Sequence, residues 1–435
     1  MKRIVYRFLL ITINLFIAIT ILGQEYLKIS GRVIDNSDSK AVVFANVSIK
    51  NTYLGVITNE IGAFELKLPS DLLYDTLEVS SLGYKSYRIP LKGCFNKNDV
   101  IIKLHPEIFD IEEVIVTPEA KNPELIVQKA LKAIKKNYPK KTFYLDVFFR
   151  EMDYSGNTYL RLMEAAIGIQ DFGFDSNIER IRIKLLELRK SYDYLEYSFG
   201  WKFLNMFLGE QNILYKTYYY NSLRNYKNIL LFDKKNNRLY NFSLDDIVFQ
   251  DSSLIYVINY TPNGFCETRD RPLLDKEGKL YINQSDYAIV KATANYFVNR
   301  PGTAGKLLFD SKYTTKSIVT YRKIKGKYYL SYLKYFSGFS GSPLYKDDNS
   351  KYRSQYTQSS FYVTNIYTSY RDFDKVKRRE KEKNDIDLYK KEFPYNADFW
   401  KTYNSILMNP LFKKVKLDLE KDKTLETQYK ENNNK

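Results

Sequence analysis

Alternating apolar and polar side chains dominate the N-terminal part of the chain. Residues 45–50, 64–68, 77–80 and 100–104 each place an apolar side chain at every second position, with mostly polar side chains between them. This period of two, interrupted by turn residues, is typical of half-buried antiparallel strands. Its repetition over residues 24–105 predicts a small antiparallel β-sandwich of the seven-stranded type.

Four short motifs in this region make the prediction more specific. They are GRVID at 31–35, ANVSI at 45–49, GVITNEIGAFEL at 55–66 and LEVSSLGY at 77–84. In this order they resemble the carboxypeptidase regulatory-like domain, a transthyretin-like β-sandwich common at the N-termini of exported Bacteroidota proteins. The resemblance implies a fold and not a peptidase: zinc in metallocarboxypeptidases is held by two His and a Glu of a separate catalytic domain, and His105 is the single histidine here.

A second, larger domain is predicted over residues 124–395, after a linker at 106–123 that carries a short strand at 111–117. Asn122, Pro123 and Glu124 have the residue types of a helix start, and Pro139 ends the apolar periodicity that follows. This helix and the aromatic strand after it resemble the opening of a Bacteroidota family of exported proteins that carry the regulatory-like module first. Residues 396–435 are predicted to be a C-terminal helical segment with a frayed tail.

Most of the larger domain alternates again, which predicts one large antiparallel sheet with a few packed helices, an α+β domain. The chain as a whole is therefore expected to be mainly β with α+β character. Helices are expected at 200–209 and 221–228. The predicted hairpin turns are 155–157, 276–278 and 325–327. The predicted strands are 143–152, 158–168, 178–189, 239–249, 254–261, 279–283, 288–297, 318–324, 328–336 and 361–370.

The strand at 328–336 (YYLSYLKYF) is apolar at nearly every position. A strict period of two places Tyr328, Leu330, Tyr332 and Phe336 on one face, with Tyr329, Leu333 and Tyr335 on the other. A sheet that is apolar on both faces must cover the second one with helices, a partner or a hydrophobic ligand. The first four residues are therefore the candidate surface for a hydrophobic ligand or a partner. Residues 278–292 also resemble strands of the half-barrels that carry lipoproteins in the periplasm.

The N-terminus predicts export. Lys2, Arg3 and Arg7 precede an apolar run at 8–22 and the small residue Gly23, the order of a secretory signal peptide over residues 1–23 with cleavage after Gly23. The run contains Thr12 and Asn14, and it is shorter than the roughly 20 residues of a spanning helix. The exported protein is expected in the periplasm or in association with the outer membrane.

The amino-acid composition argues against most kinds of enzyme active site. The chain has one His and two Cys, too few for a His-rich or Cys-rich metal site, so no metal, cofactor or catalytic residue is assigned. Cys94 and Cys266 are permitted to pair in an exported protein, and their spacing does not decide whether they do. The acidic pairs 245–246 and 347–348 are interpreted as turn residues and not as a glycosidase dyad.

The net charge of the chain bears on which classes of molecule it could bind. The formal net charge is +17 at pH 7, which in a cytoplasmic protein would favour nucleic acid. Export argues against nucleic acid as a partner. In an exported protein Lys and Arg would more plausibly contact anionic lipid surfaces or acidic glycans, and scattered solvated surface charge is favoured over either. We therefore expect a non-enzymatic envelope protein that binds a protein partner or a hydrophobic ligand. The alternatives are a periplasmic lipid or lipoprotein carrier and, less favoured, a carboxylate-dependent glycan hydrolase.

Overall fold

Within its described residues, the computed structural model contains two β-rich units and five α-helices. It describes residues 26–94, 99–107, 122–195, 213–219, 221, 223–224, 240–251, 253–263, 276–299, 312–340, 354–369, 381, 387–407 and 411–432. Within these ranges, none of the helices combines the length and the apolar character needed to cross a bilayer. The predicted signal peptide, the strand at 111–117, the helix at 200–209, most of the helix at 221–228, the acidic pair 347–348 and Cys266 lie outside the described residues.

The N-terminal unit is the predicted sandwich of seven strands. One sheet has the order β4-β1-β7 and the other the order β3-β2-β5-β6. All neighbouring pairs are antiparallel except β1 and β7, which run parallel. The strands are β1 (Tyr26–Asp35), β2 (Asn46–Ile49), β3 (Gly55–Ile57), β4 (Ala63–Pro69), β5 (Thr76–Ser80), β6 (Tyr87–Pro90) and β7 (Val100–Leu104).

The alternation seen in the sequence fills the space between these two sheets. Phe64, Leu66 and Leu68 of β4 are completely buried, and the residues between them are only partly so. The turn before β4 needs its glycine: Gly62 has φ +74°, and a Cβ there would lie 2.3 Å from the carbonyl oxygen of Val33. The motif at 55–66 is thus a strand, a tight turn and a strand, as predicted.

The C-terminal unit is built on one ten-stranded antiparallel sheet with the order β10-β9-β8-β17-β16-β15-β14-β13-β12-β11. Long strands with few interruptions make this sheet the framework of the molecule. They are β8 (Phe143–Ser155), β9 (Thr158–Asp171), β10 (Arg182–Lys190), β11 (Tyr240–Gln250), β12 (Ser253–Pro262), β13 (Lys276–Asn283), β14 (Ile289–Asn299), β15 (Lys312–Ile324), β16 (Lys327–Ser340) and β17 (Ser354–Tyr367).

Two helices cover one face of this sheet, which we call the helix face. They are α1 (Pro123–Asn137) and α2 (Ile213–Tyr219). The side chain of Asn122 accepts a hydrogen bond from the backbone N–H of Leu125 (3.0 Å), which confirms the predicted N-cap. At the other end of α1, the buried hydroxyl of Tyr138 donates to the carbonyl of Ile289 (2.7 Å). The apolar face of α1 is thereby fixed on the sheet.

The opposite face, which we call the sandwich face, is covered by the N-terminal unit and the C-terminal helices. Phe148, Tyr332 and Tyr362 of the sheet share one apolar cluster with the core of the sandwich. Three helices complete the cover: α3 (Ala397–Thr402), α4 (Leu411–Leu419) and α5 (Leu425–Asn432). Asn404 exchanges two hydrogen bonds of 2.8 Å with the backbone of Lys67, so the segment after α3 occupies the free edge of β4. Sheet edges need such cover to avoid pairing with other chains.

Three local predictions were wrong. Residues 276–278 do not turn but lie inside β13, where Gly278 permits close approach: a Cβ would lie 2.0 Å from the carbonyl oxygen of Thr293. The pair 245–246 lies at a β-bulge within β11 and not in a turn, and Asp245 binds Lys279 (2.7 Å). The helix predicted from residue 396 is also shorter than its amphipathic pattern, because α3 ends at Thr402.

Candidate ligand-binding cleft

A cleft of about 780 Å³ lies between the two units. One wall is the outer face of the sandwich sheet β3-β2-β5-β6, and the other is the sandwich face of the large sheet over β12 to β16. The volume is within the range of roughly 300–1,000 Å³ found for small-molecule sites, which often occur at domain interfaces. The cleft is therefore the candidate functional site within the described residues.

Direct contacts between the two units hold both ends of the cleft. At one end the ring of Phe44 stacks on Tyr332, with centroids 4.9 Å apart. At the other end, the backbone N–H of Gly83 donates to the carbonyl of Phe249 (3.0 Å), and Ser86 donates twice to the carboxylate of Asp251 (2.9 and 2.7 Å). Residues that line the cleft make most of these contacts, and with the hydrogen bonds of Arg322 to Asn46 and to Tyr53 across the cleft they set its width.

The two walls differ in chemistry because they come from different sheets. The inner side chains of β2, β5 and β6 fill the sandwich core. The side chains on the outer face of these strands line the cleft and are polar, including Asn46, Ser48 and Ser80. The opposite wall includes Ile255, which is completely buried, and Ile318. A molecule in the cleft would meet one polar wall and one partly apolar wall.

The charge of the lining is predominantly basic. Five basic side chains line the cleft against two acidic ones, and both acidic ones are engaged: Asp251 by Ser86, as above, and Glu78 by the guanidinium of Arg88 (2.6 Å). One of the basic side chains, Lys323, also has an acidic partner in Asp286 (2.8 Å).

Arg322 is the most unusual of these side chains. Among the described residues its guanidinium donates to two neutral groups, the carbonyl of Tyr53 (2.5 Å) and the side-chain oxygen of Asn46 (3.3 Å). Its Nε is shielded from solvent and has no hydrogen-bond partner among the described residues. Burial lowers the pKa of Arg322, yet the side chain stays protonated because the guanidinium group is not deprotonated in proteins. The side chain as a whole is partly exposed, but a partly buried cation is still costly without an anion, and the described ranges supply none.

Two lysines add to this positive potential. Lys291 lies over the ring of Tyr281 (4.9 Å to the centroid), and Lys325 lies over the ring of Tyr53 (5.5 Å). Aromatic faces hold cations without neutralising them. Burial, and then the nearby Lys279, lower the pKa of Lys291, as is expected where a positive charge is not compensated.

The four residues predicted as a shared surface lie on both faces of the sheet. Ser331 is an extra residue at a β-bulge, since Thr320 pairs with Tyr332 while Tyr321 pairs with Leu330. One inserted residue shifts the alternation, so each side chain before it lies on the face opposite to the one predicted. The prediction that the four residues share a face was therefore wrong: Tyr328 and Leu330 lie on the helix face, and Tyr332 and Phe336 lie on the sandwich face.

Burial also separates these residues from solvent. Tyr328, Leu330 and Tyr332 are 3–4% exposed, and Phe336 is half-buried against Tyr356 (centroids 5.7 Å apart). The argument that a doubly apolar strand needs cover on both faces was sound, but the cover comes from this chain. Tyr332 and Tyr328 still contribute to the lining of the cleft.

The residues that define the cleft were missed in the sequence. Strand positions of ordinary appearance hold Lys291, Ile318 and Arg322. No local sequence pattern distinguishes a charged side chain that faces another domain from one that faces water. The one available signal was the alternation of Ile318, Thr320 and Arg322 in β15, which places an apolar side chain and a cation on one face.

Other sites of chemistry are few in the part of the chain that the structure describes. No three His, Cys, Asp or Glu side chains come together there as metal ligands. His105 is exposed at the end of β7, where its Nδ1 lies 3.3 Å from the side-chain nitrogen of Asn36. Cys94 is buried in the sandwich core.

Comparison with known proteins identifies the first unit. Residues 29–116 match the family model of the CarboxypepD_reg-like domain, so the resemblance predicted from the motifs is confirmed. No curated protein matches the chain.

Solved structures give weaker similarities for the second unit. A LolA superfamily protein from Nitrosomonas europaea is 14% identical with a TM-score of 0.22, and the match covers 61% of this chain and 99% of that one. A DUF1329 family protein from Desulfovibrio piger is 9% identical with a TM-score of 0.24, covering 60% and 99%. Because these identities and scores are low, they do not indicate what this chain binds.

Proposed function

We propose that this chain is an exported, non-enzymatic binding protein of the cell envelope, and that its ligand lies in the cleft between the sandwich and the ten-stranded sheet. The observation that carries the proposal is the cleft itself, a space of about 780 Å³ with one polar and one partly apolar wall. Contacts at its two ends keep it open, as a preformed ligand site requires. The signal-peptide pattern at 1–23 supports a location in the periplasm or at the outer membrane.

The chemistry of the lining supports binding over catalysis. A nucleophile or general base needs a titratable group with a suitable partner. The described lining contains no His or Cys, and its two acidic side chains are engaged by Arg88 and Ser86. A bound molecule would therefore be held and released unchanged.

The proposal is tested by purifying the mature chain from its native envelope without denaturants and identifying bound small molecules by mass spectrometry. Thr320→Trp places an indole on the sheet wall of the cleft. Thr402→Trp is the matched control, because Thr402 is exposed at the end of α3 and does not line the cleft.

We expect a molecule near one equivalent in the wild type and in Thr402→Trp, and its loss from Thr320→Trp. The released molecule should also keep its mass after prolonged incubation with fresh protein. Equal retention by both variants would place the ligand elsewhere, and chemical conversion of the ligand would contradict the non-enzymatic part of the proposal.

A further inference from the structure

The starting point is a charge imbalance confined to the cleft. Of the five basic side chains that line it, Arg322, Lys291 and Lys325 have no acidic partner among the described residues. This contrasts with the same face of the sheet beyond the cleft, where Arg150 and Arg189 share the buried carboxylate of Glu164. Not every buried cation is neutralised, since Lys190 is 1% exposed and is held by the carbonyls of Tyr389 and Lys391. Arg322 differs from Lys190 because its Nε has no hydrogen-bond partner among the described residues.

An anion from outside the chain would supply the missing charge. The guanidinium of Arg322 is fixed by Asn46 and the carbonyl of Tyr53, so its orientation is set before any ligand arrives. Arginine binds phosphate and carboxylate groups through paired hydrogen bonds, and such charge-assisted bonds are strong in a site shielded from water. Lys291 and Lys325 would add long-range attraction without fixed geometry.

The rest of the ligand must match the wall that carries this arginine. Ile318 lies on the same face of β15 as Arg322, and Ile255 lies further along the same wall. Ile255 is completely buried, but Ile318 is partly exposed, and a free inorganic ion would leave it in contact with water. An amphiphile would cover Ile318 while its charged end reaches Arg322.

We infer that the cleft binds an amphiphile with a phosphate or carboxylate group, that Arg322 binds this group, and that Ile318 contacts the apolar part. The inference rests on the proposed function and adds the class of ligand to it. It also predicts that binding weakens as salt is added, because part of the attraction comes from charge.

The test measures binding by calorimetry to the full mature chain, with three probes below their micellar concentrations. Monododecyl phosphate carries both features, dodecyl maltoside carries only the apolar chain, and inorganic phosphate carries only the anion. The variants are Arg322→Gln, which removes the charge, and Arg322→Lys, which keeps the charge but loses the planar guanidinium.

Arg182→Gln is the matched control, because the Arg182 guanidinium also donates to a neutral group, Gln170 (3.0 Å), and stacks on a ring, Phe172 (5.1 Å), but lies on β10 outside the cleft. Urea midpoints of all variants establish that each is folded.

We expect wild type and Arg182→Gln to bind monododecyl phosphate most tightly. Arg322→Gln should weaken that binding by about tenfold to a hundredfold, the effect of one charge-assisted hydrogen-bonding group. Arg322→Lys should recover part of the loss, and dodecyl maltoside should bind weakly and equally to all variants.

Each alternative result has a distinct meaning. If both amphiphiles bind equally and Arg322→Gln changes neither, the anionic class is wrong while a ligand cleft stands. If inorganic phosphate binds as tightly as monododecyl phosphate, the site recognises a free anion and the amphiphile is overturned. If Thr320→Trp binds all probes as the wild type does, the cleft is not the site and the proposed function fails with the inference.

Discussion

Two arginine sites on the sandwich face of one sheet are built in opposite ways. Under α3 and α5, Arg150 and Arg189 each place Nε 2.6 Å from the completely buried carboxylate of Glu164. In the cleft, the hydrogen-bond partners of Arg322 among the described residues are an amide and a carbonyl. In the first site both guanidinium groups share a carboxylate of the same chain. In the second site, Nε of Arg322 donates to none of the described residues. The comparison separates charges that hold the fold together from charges available to a ligand.

The cover over the first site explains why it is complete. The ring of Trp400 lies 4.2 Å from the guanidinium of Arg189, and Nη2 of Arg150 donates to the carbonyl of Ile406 (2.8 Å). Residues 396–407 thus close the site from solvent and from ligands. The cleft lacks such a cover over Arg322 in the described ranges, and the nearest atoms of the sandwich hold the guanidinium in place.

The largest effect is expected from breaking the complete site. Glu164→Gln leaves two largely buried guanidinium groups without a counter-charge, and we expect a loss of about 3–5 kcal/mol of unfolding free energy. Arg322→Met removes one cation that has no counter-charge, so the ligand-free protein should change by about 1 kcal/mol or less in either direction. Urea unfolding followed by tryptophan fluorescence measures both.

An exposed ion pair serves as the control for the difference in stability between these two variants. Glu426→Gln breaks the exposed pair of Glu426 and Lys430 (2.9 Å) and should change the free energy by less than about 0.5 kcal/mol. Equal losses from Glu164→Gln and Arg322→Met would mean that the two arginine sites do not differ as described.

The dependence of unfolding free energy on acidic pH should also distinguish the two arginine sites, by a smaller effect. Burial on its own would raise the pKa of Glu164, but Arg189 and Arg150 outweigh it and hold that pKa below its ordinary value of 4.5. Glu164 therefore stabilises the fold above about pH 4.5, and this contribution is lost as pH falls towards the lowered pKa of the folded state.

The measurement is unfolding free energy against pH from 7 to 2. The wild type and Arg322→Met should lose stability below about pH 4.5 with the same slope, because arginine does not titrate there. Glu164→Gln should show a shallower slope. A slope for Glu164→Gln as steep as that of the wild type would assign acid sensitivity to other carboxylates.

The same contrast explains what could be predicted from sequence. The sandwich strands, the turn at Gly62 and the N-cap at Asn122 are local patterns, and the structure has them where they were expected. The bulge at Ser331 is not local in this sense: it is defined by pairing with Thr320 and Tyr321, and it redirects Tyr328 and Leu330. Periodicity assumes an unbroken strand, so it assigned the wrong face.

The cleft could not be predicted because it belongs to neither unit alone. Asn46 and Arg322 are 276 positions apart in sequence and meet only when the sandwich packs on the sheet. Composition showed an excess of basic residues but not which ones lack partners. That information resides in the packing of the two units, and a single sequence does not contain it in any local pattern.

A small effect on stability is also expected at the polar wall of the cleft. Arg88 pairs with Glu78 at 2.6 Å, but about half of its side chain is exposed, so solvent screens the pair. Arg88→Gln should change the unfolding free energy by less than about 1 kcal/mol, measured by the same urea titration. Glu78→Gln is the informative companion, because it adds one uncompensated cation to the lining while removing the same pair.

If the basic character of the cleft matters for ligands and not for the fold, Glu78→Gln should match Arg88→Gln in stability and exceed it in affinity for monododecyl phosphate. Identical affinities would confine recognition to the sheet wall around Arg322. A large loss of stability in either variant would show instead that this exposed pair, like Glu164 with its two arginines, is part of the structural framework.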